Sequence, residues 1–320
     1  MSAKKPSKKV IWIIAVAVLF SALFIYNVYR EERPNLMVVS SGSPGGVYYP
    51  LGGAISEVIS RNLEGVRCDS ESTSGSVENV RLVGNKESDL GMATENAAYK
   101  GAVGEYPFSR PYPIKALFNM YSAPLHIITI EGRGIETIHD LAGKRVSIDA
   151  PGSGTEEMAR TLLEELDLLD KLKTENYGQQ DAAAALRDGN IDAVFWNFAY
   201  PASVVMEISA MRQLHFIALE DEDIQIIEEK YPYYTGDVIP AGTYDDQEDD
   251  VAVISVNNIL VVQADMDEEL AYAITGTIFD NLERLAEAHD VARRISVETA
   301  RDTSVEMHPG AARLLEERSD

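Results

Sequence analysis

At 320 residues the chain has room for two domains of ordinary size or one large α/β domain, and its 45% apolar and 25% charged residues exclude wholesale disorder. Its 52 acidic against 28 basic side chains give a net charge of −24, which repels nucleic acid and anionic lipid and excludes a nucleic-acid partner. One cysteine, Cys68, leaves no internal disulfide and no cysteine-based zinc site.

In chain order, residues 1–9 carry Lys4, Lys5, Lys8 and Lys9 and read as a basic cytoplasmic tail. Residues 10–29 follow without a charge, matching the ~20 residues that span a bilayer as a helix. The lysines predict, by the positive-inside rule, that everything beyond lies outside the membrane. The run exceeds the ~7–15 apolar residues of a cleavable signal, and neither an Ala-x-Ala site nor a lipid-accepting cysteine follows. It therefore reads as a transmembrane anchor or uncleaved signal, with 30–35 as a polar linker. The acidic run Asp245, Asp246, Glu248, Asp249, Asp250 lacks EF-hand spacing and its glycine, so it reads as a solvated loop and no metal or cofactor is assigned.

Apolar runs of strand length then alternate with segments of helical period, the pattern of parallel βαβ units. Strands are predicted at 36–40, 66–71 and 89–93, with helices at 47–62 and at 77–83, the latter closed by Gly84 and Asn85. The grammar repeats with strands at 145–149 and 191–196 and helices at 155–169 and 181–188. In both halves an aspartate, Asp89 or Asp192, joins a helix stop to a buried strand. Two lobes of similar plan, facing each other across one cleft, are expected.

Three loops precede helices with a polar, glycine-bearing composition: residues 41–46 (SGSPGG), 72–76 (STSGS) and 151–155 (PGSGT). Glycine allows close backbone approach, helix starts offer N–H groups without internal partners, and the dipole favours a negative group. Together they predict capture of a carboxylate or phosphate, with Tyr48 and Asn197 placed at the mouth. The glycine spacings fit neither a dinucleotide fingerprint nor a P-loop, no serine stands in G-x-S-x-G, and the five histidines form no H-E-x-x-H pair. The residues point to a binding protein and not to an enzyme.

The chain resembles the TAXI-type solute-binding proteins of TRAP transporters over nearly all of its length beyond the linker. The resemblance rests on GGVYYPLGG at 45–53, GSVEN at 75–79, DLG at 89–91, PLH at 124–126, DLAGKRV at 140–146, PGSGT at 151–155, IPAGTY at 239–244 and HPGA at 308–311. It implies a two-lobed periplasmic-binding-protein fold of type II-like plan, α/β in class. Lobe 1 spans 36–125, lobe 2 spans 126–240, and a return at 241–320 belongs mainly to lobe 1. It also implies a carboxylate ligand such as glutamate or 2-oxoglutarate, and integral membrane TRAP permease subunits as partners. Ser43, Gly46, Val47, Tyr48, Thr73, Ser76, Asn79, Thr94 and Asn96 are expected on one wall of the cleft, and Ser153, Gly154, Thr155 and Asn197 on the other. An anchored ligand-sensing accessory protein is the alternative role. Where relatives often carry acidic residues, this chain has Ala123 and Asn96, and its segment 196–200 is bulkier.

Overall fold

The computed structural model describes Trp12, residues 35–245 and residues 247–319. The expected tail at 1–9, anchor at 10–29 and linker at 30–35 lie outside these residues, Trp12 and Asn35 excepted. Among the described residues no helix is long and apolar enough to cross a membrane.

The first units are β1 (Asn35–Ser40), α1 (Tyr48–Asn62), β2 (Val66–Glu71), α2 (Ser76–Gly84), β3 (Leu90–Thr94) and α3 (Glu95–Val103). A long strand, β4 (Ile114–Ile130), leads to β5 (Arg145–Ser147), α4 (Gly154–Glu165), β6 (Lys173–Glu175), α5 (Gln179–Asp188) and β7 (Ala193–Asn197). Then come α6 (Ser203–Ser209), β8 (Leu214–Phe216), α7 (Asp221–Lys230), β9 (Tyr234–Ile239) and a second long strand, β10 (Val251–Gln263). Helices α8 (Glu268–Phe279), α9 (Leu282–Ala288) and α10 (Pro309–Ser319) complete the chain.

The strands join one sheet in the order β2-β1-β3-β10-β4-β7-β5-β6, with β8 beside β4 and β9 beside β10. The βαβ units give the expected parallel pairs, β1 with β3 and β5 with β6 and β7. The two long strands instead run antiparallel to each strand they pair with. Alternate side chains enter cores on opposite faces. Leu90 and Met92 pack with Leu51 and Ile55, whereas Ala93 packs with Val80 and Ala97. Past the middle of β4, Leu125 and Ile127 meet Leu162 and Phe195, whereas Ile128 meets Leu186 and Val194. Both faces must be apolar in a sheet covered by helices on each side.

Several element ends differ from expectation, among them the helix expected at 155–169, which stops at Glu165, and two of the differences have a clear local cause. Gly84 ends α2 from inside the helix: a side chain there would meet the Tyr112 ring at 2.3 Å, so this glycine serves close packing. Lys86 takes the left-handed conformation instead, at φ 64°. Strand β5 stops at Ser147, and Asp149 turns the chain at φ 75°, a conformation that aspartate tolerates better than most residues.

The two aspartates that join helix stop to strand play the same part in both halves. Asp89 N donates to Val38 O while Asp89 Oδ2 accepts from Val38 N at 2.7 Å. Asp192 N donates to Arg145 O while Asp192 Oδ2 accepts from Arg145 N at 2.9 Å. Each carboxylate thus clips the start of a strand to its parallel neighbour. Their acidities diverge: hydrogen bonds from the Arg145 guanidinium hold the Asp192 carboxyl below its usual range, whereas burial raises that of Asp89. Asp192→Asn is expected to cost about 1.5–3 kcal/mol at neutral pH in urea unfolding. That deficit should vanish as the pH falls below the unfolded value of 3.8 and through the depressed folded one. Asp89→Asn should show the opposite trend, its deficit growing as the pH falls through the raised folded value toward 3.8.

Candidate functional site

Loops leaving the carboxyl ends of β1, β2, β3, β5 and β7 converge on one cavity of about 100 Å³. This is where an open α/β sheet offers a ligand its helix starts. The first residues of α1, α2, α4 and α5 all line it, through Tyr48, Ser76, Gly154 and Gln179. Tyr121 from the middle of β4 and Asn258 from the middle of β10 close its floor.

Ten of the thirteen expected residues line this cavity: Ser43, Gly46, Val47, Tyr48, Ser76, Thr94, Ser153, Gly154, Thr155 and Asn197. Thr73, Asn79 and Asn96 do not, because their side chains are turned to hydrogen bonds within the fold. Thr73 Oγ1 donates to Asn79 Oδ1 at 2.6 Å, and Asn79 Nδ2 is shared between Ser41 O and Met92 O at 2.6 and 2.7 Å. Asn96 is fully buried, and its amide donates to the Glu157 carboxylate.

Some of the helix-start donors are also committed. Val77 N donates to Gly152 O at 3.1 Å, tying the first turn of α2 to the loop before α4. Ser153 acts as the N-cap of α4, its hydroxyl accepting from Glu156 N at 3.0 Å. Asn197 links across the site as well, with its N–H on Thr155 Oγ1 and its amide donating to Ala123 O at 2.7 Å. Tyr48 donates its hydroxyl to Asn258 Oδ1 at 2.5 Å, and burial holds this phenol well above its usual range. It is a neutral wall of the site.

The two sides come into contact at Gly154. A Cβ at this position would stand 2.3 Å from Thr94 Oγ1 and 2.7 Å from Ser76 Oγ. Only glycine permits that contact. Two lining groups are left without a hydrogen-bond partner despite deep burial: the Thr94 hydroxyl, on a residue 4% exposed, and the Trp196 indole N–H, on a residue 1% exposed. A buried polar group without a partner costs about 1–3 kcal/mol. The indole is donor only, so it calls for an acceptor.

Phe198 completes the aromatic wall, and His126 packs behind it with ring centres 4.6 Å apart. Burial lowers the His126 pKa to about 4, and its Nε2 lies 3.0 Å from the Tyr244 hydroxyl. This histidine is therefore a neutral packing residue.

The sequence reading missed Asp149, Tyr121, Gln179, Trp196, Phe198 and Asn258. Asp149, Trp196 and Phe198 stand at the ends of β5 and β7, so the strand-end rule that nominated Asn197 could have found them. Asn258 had a signal of its own: Asn257 and Asn258 form a polar pair inside a mostly apolar strand. Tyr121 and Gln179 left no such mark. Asp149 is the only charged side chain among the lining residues, and no lysine or arginine is found there among the described residues.

The architecture is similar to that of several solved structures. PhnD1 from Prochlorococcus marinus, in complex with methylphosphonate, matches with a TM-score of 0.57 at 11% identity, covering 89% of this chain and 98% of that one. An ancestral arginine-binding protein bound to arginine matches at 0.51 and 13% identity, over 81% and 98%. The arginine-, lysine-, histidine-binding protein ArtJ from Geobacillus stearothermophilus matches at 0.50 and 14% identity, over 82% and 95%. At such low identity the likeness establishes the fold, an α/β architecture with a mixed sheet, and neither the solute nor the role. The family is shown by the sequence itself: residues 39–318 match the model of the NMT1-like family, and the chain belongs to that family.

Proposed function

We propose that the protein is an extracytoplasmic solute-binding subunit that captures a small carboxylate, such as glutamate or 2-oxoglutarate, and hands it to a membrane permease of the TRAP type. The observation that carries this reading is the convergence on one small cavity of four helix starts with two deeply buried, unpartnered polar groups, Thr94 Oγ1 and Trp196 Nε1. Neutral hydroxyls and N–H groups held rigidly at helix starts suit a carboxylate oxygen. No nucleophile–base pair accompanies them among the lining residues, which favours binding over catalysis.

In this reading residues 36–125 with the return at 241–320 form one lobe and residues 126–240 the other, joined by β4 and β10 and closing by a hinge. The apolar run at 10–29 would keep the receptor near its permease and raise its effective concentration there.

Ligand that binds only the folded state stabilises it by about 2.7 kcal/mol at a hundredfold excess over Kd. The purified full chain is therefore expected to melt several degrees higher with one member of a panel of dicarboxylates, amino acids and 2-oxoacids. A flat response across the panel would exclude carboxylate capture. Gly154→Ala places a methyl group against Thr94 and Ser76 and should hold the two sides apart. It is expected to lower the unliganded melting temperature by a few degrees, as overpacking does, and to weaken ligand binding at least ~10-fold in calorimetry on the folded variant.

A further inference from the structure

Within the binding role proposed above, on which this step rests, we infer that Asp149 recognises a positive group on the ligand, so that the solute is a zwitterion of the amino-acid type and not a plain carboxylate or 2-oxoacid.

Three observations lead there. First, Asp149 is the only charged side chain lining the cavity, and no cation lines it among the described residues. A second anionic group entering beside it would meet like charge with nothing to offset it. Second, the remaining polar lining divides by role. Trp196 is a lining residue whose indole N–H can only donate and has no partner, so its need for an acceptor is unmet on that side of the cavity. The Asp149 carboxylate can only accept, which marks a place for a ligand donor. A solute carrying a carboxylate and an ammonium satisfies both. Third, Asp149 is placed by the backbone: it sits two residues past the end of β5 in the left-handed conformation, φ 75°, and the chain there turns into the Pro151–Gly152 loop. Aspartate tolerates that region better than most residues, and here it brings the side chain to the cavity wall.

Local capping of α4 is the competing role for Asp149. The Ser153 and Thr155 hydroxyls and the Ala150 N–H do favour its charged form, yet burial outweighs them and raises its pKa, with Glu156 adding to the rise. The carboxylate is thus under-compensated by the protein alone, and an ammonium would supply the missing charge.

The test compares pairs of ligands that differ at the ammonium, titrated calorimetrically into the full-length protein: glutamate with 2-oxoglutarate and with glutarate, alanine with pyruvate, and leucine with 4-methyl-2-oxopentanoate. In the pair that binds, the amino acid is expected to bind at least ~10-fold tighter than its partner. Asp149→Asn, which tolerates the same backbone conformation, should weaken the amino acid by ~10- to 100-fold and leave the oxoacid unchanged or tighter. Equal affinity within the binding pair of the wild type, or an equal loss for both ligands in the variant, would overturn the assignment while leaving carboxylate capture standing. Absence of binding by every compound would overturn the proposed function and this inference together. The wild-type comparison decides the matter even if the variant folds poorly.

Discussion

The antiparallel pairing of β4 with β10 is the constraint on which the other parts of the structure hang. It extends from Ile114 opposite Gln263 to Pro124 opposite Ser255, and among the described residues it is where the first βαβ set joins the second through the sheet. On one side β10 carries β3, and on the other β4 carries β7. The pairing is interrupted by two register shifts, one between Asn258 and Ile259 and one between Leu260 and Val261; the first bears on the cavity. There Asn258 lies opposite Tyr121, both line the cavity, and Asn258 receives the Tyr48 hydroxyl. A bulge re-aims a side chain at the expense of ladder pairing, and bulges gather next to functional sites for that reason. Here the irregularity falls where the two long strands pass under the site.

A second junction connects the helices above the sheet. Lys100 of α3 and Glu157 of α4 form an ion pair whose side chains are 12% and 6% exposed. Asn96, Thr161 and Tyr234 complete the cluster around the carboxylate. Burial raises the Glu157 pKa in spite of Lys100, so the pair does not fully offset the cost of removing the charge from water. A neutral amide at Asn96 is suited to this spot, since an aspartate would bring a second carboxylate against Glu157. The residue that departs from the related pattern is thereby explained by packing between helices and not by the ligand.

The alternation of strand and helix was legible because each element carries its own signal. Strand 66–71 and the helix ending at Asp188 before Gly189 appear where periodicity and turn chemistry place them. The strand-end loops were legible for the same reason, since glycine, serine and threonine ahead of a helix are local features. What escaped was non-local. The direction of β4 and β10 depends on pairing between residues more than a hundred positions apart. Asn79 and Asn96 have the composition of site residues, but their partners, Met92 O and Glu157, decide otherwise. Gly84 looked like a helix stop because the sequence does not reveal that Tyr112 will press against it.

Charge on two scales bears on what such a cavity can hold. Beyond residue 33 the chain has 22 basic and 50 acidic side chains, a surplus of −28 that acts against any approaching anion. Salt confines that repulsion to about 8 Å at physiological ionic strength, so it shapes the encounter and not the bound state. Inside, the donors that line the cavity are N–H and O–H groups of no net charge, whose strength toward a solute would come from fixed geometry and exclusion of water. The one charge facing them has the same sign as the surface. An arginine in that position would draw in any anion of suitable size. Neutral donors opposite a carboxylate discriminate differently, because each end of the solute must find the matching end of the site. A dipolar solute of zero net charge escapes the long-range repulsion and gains at both ends.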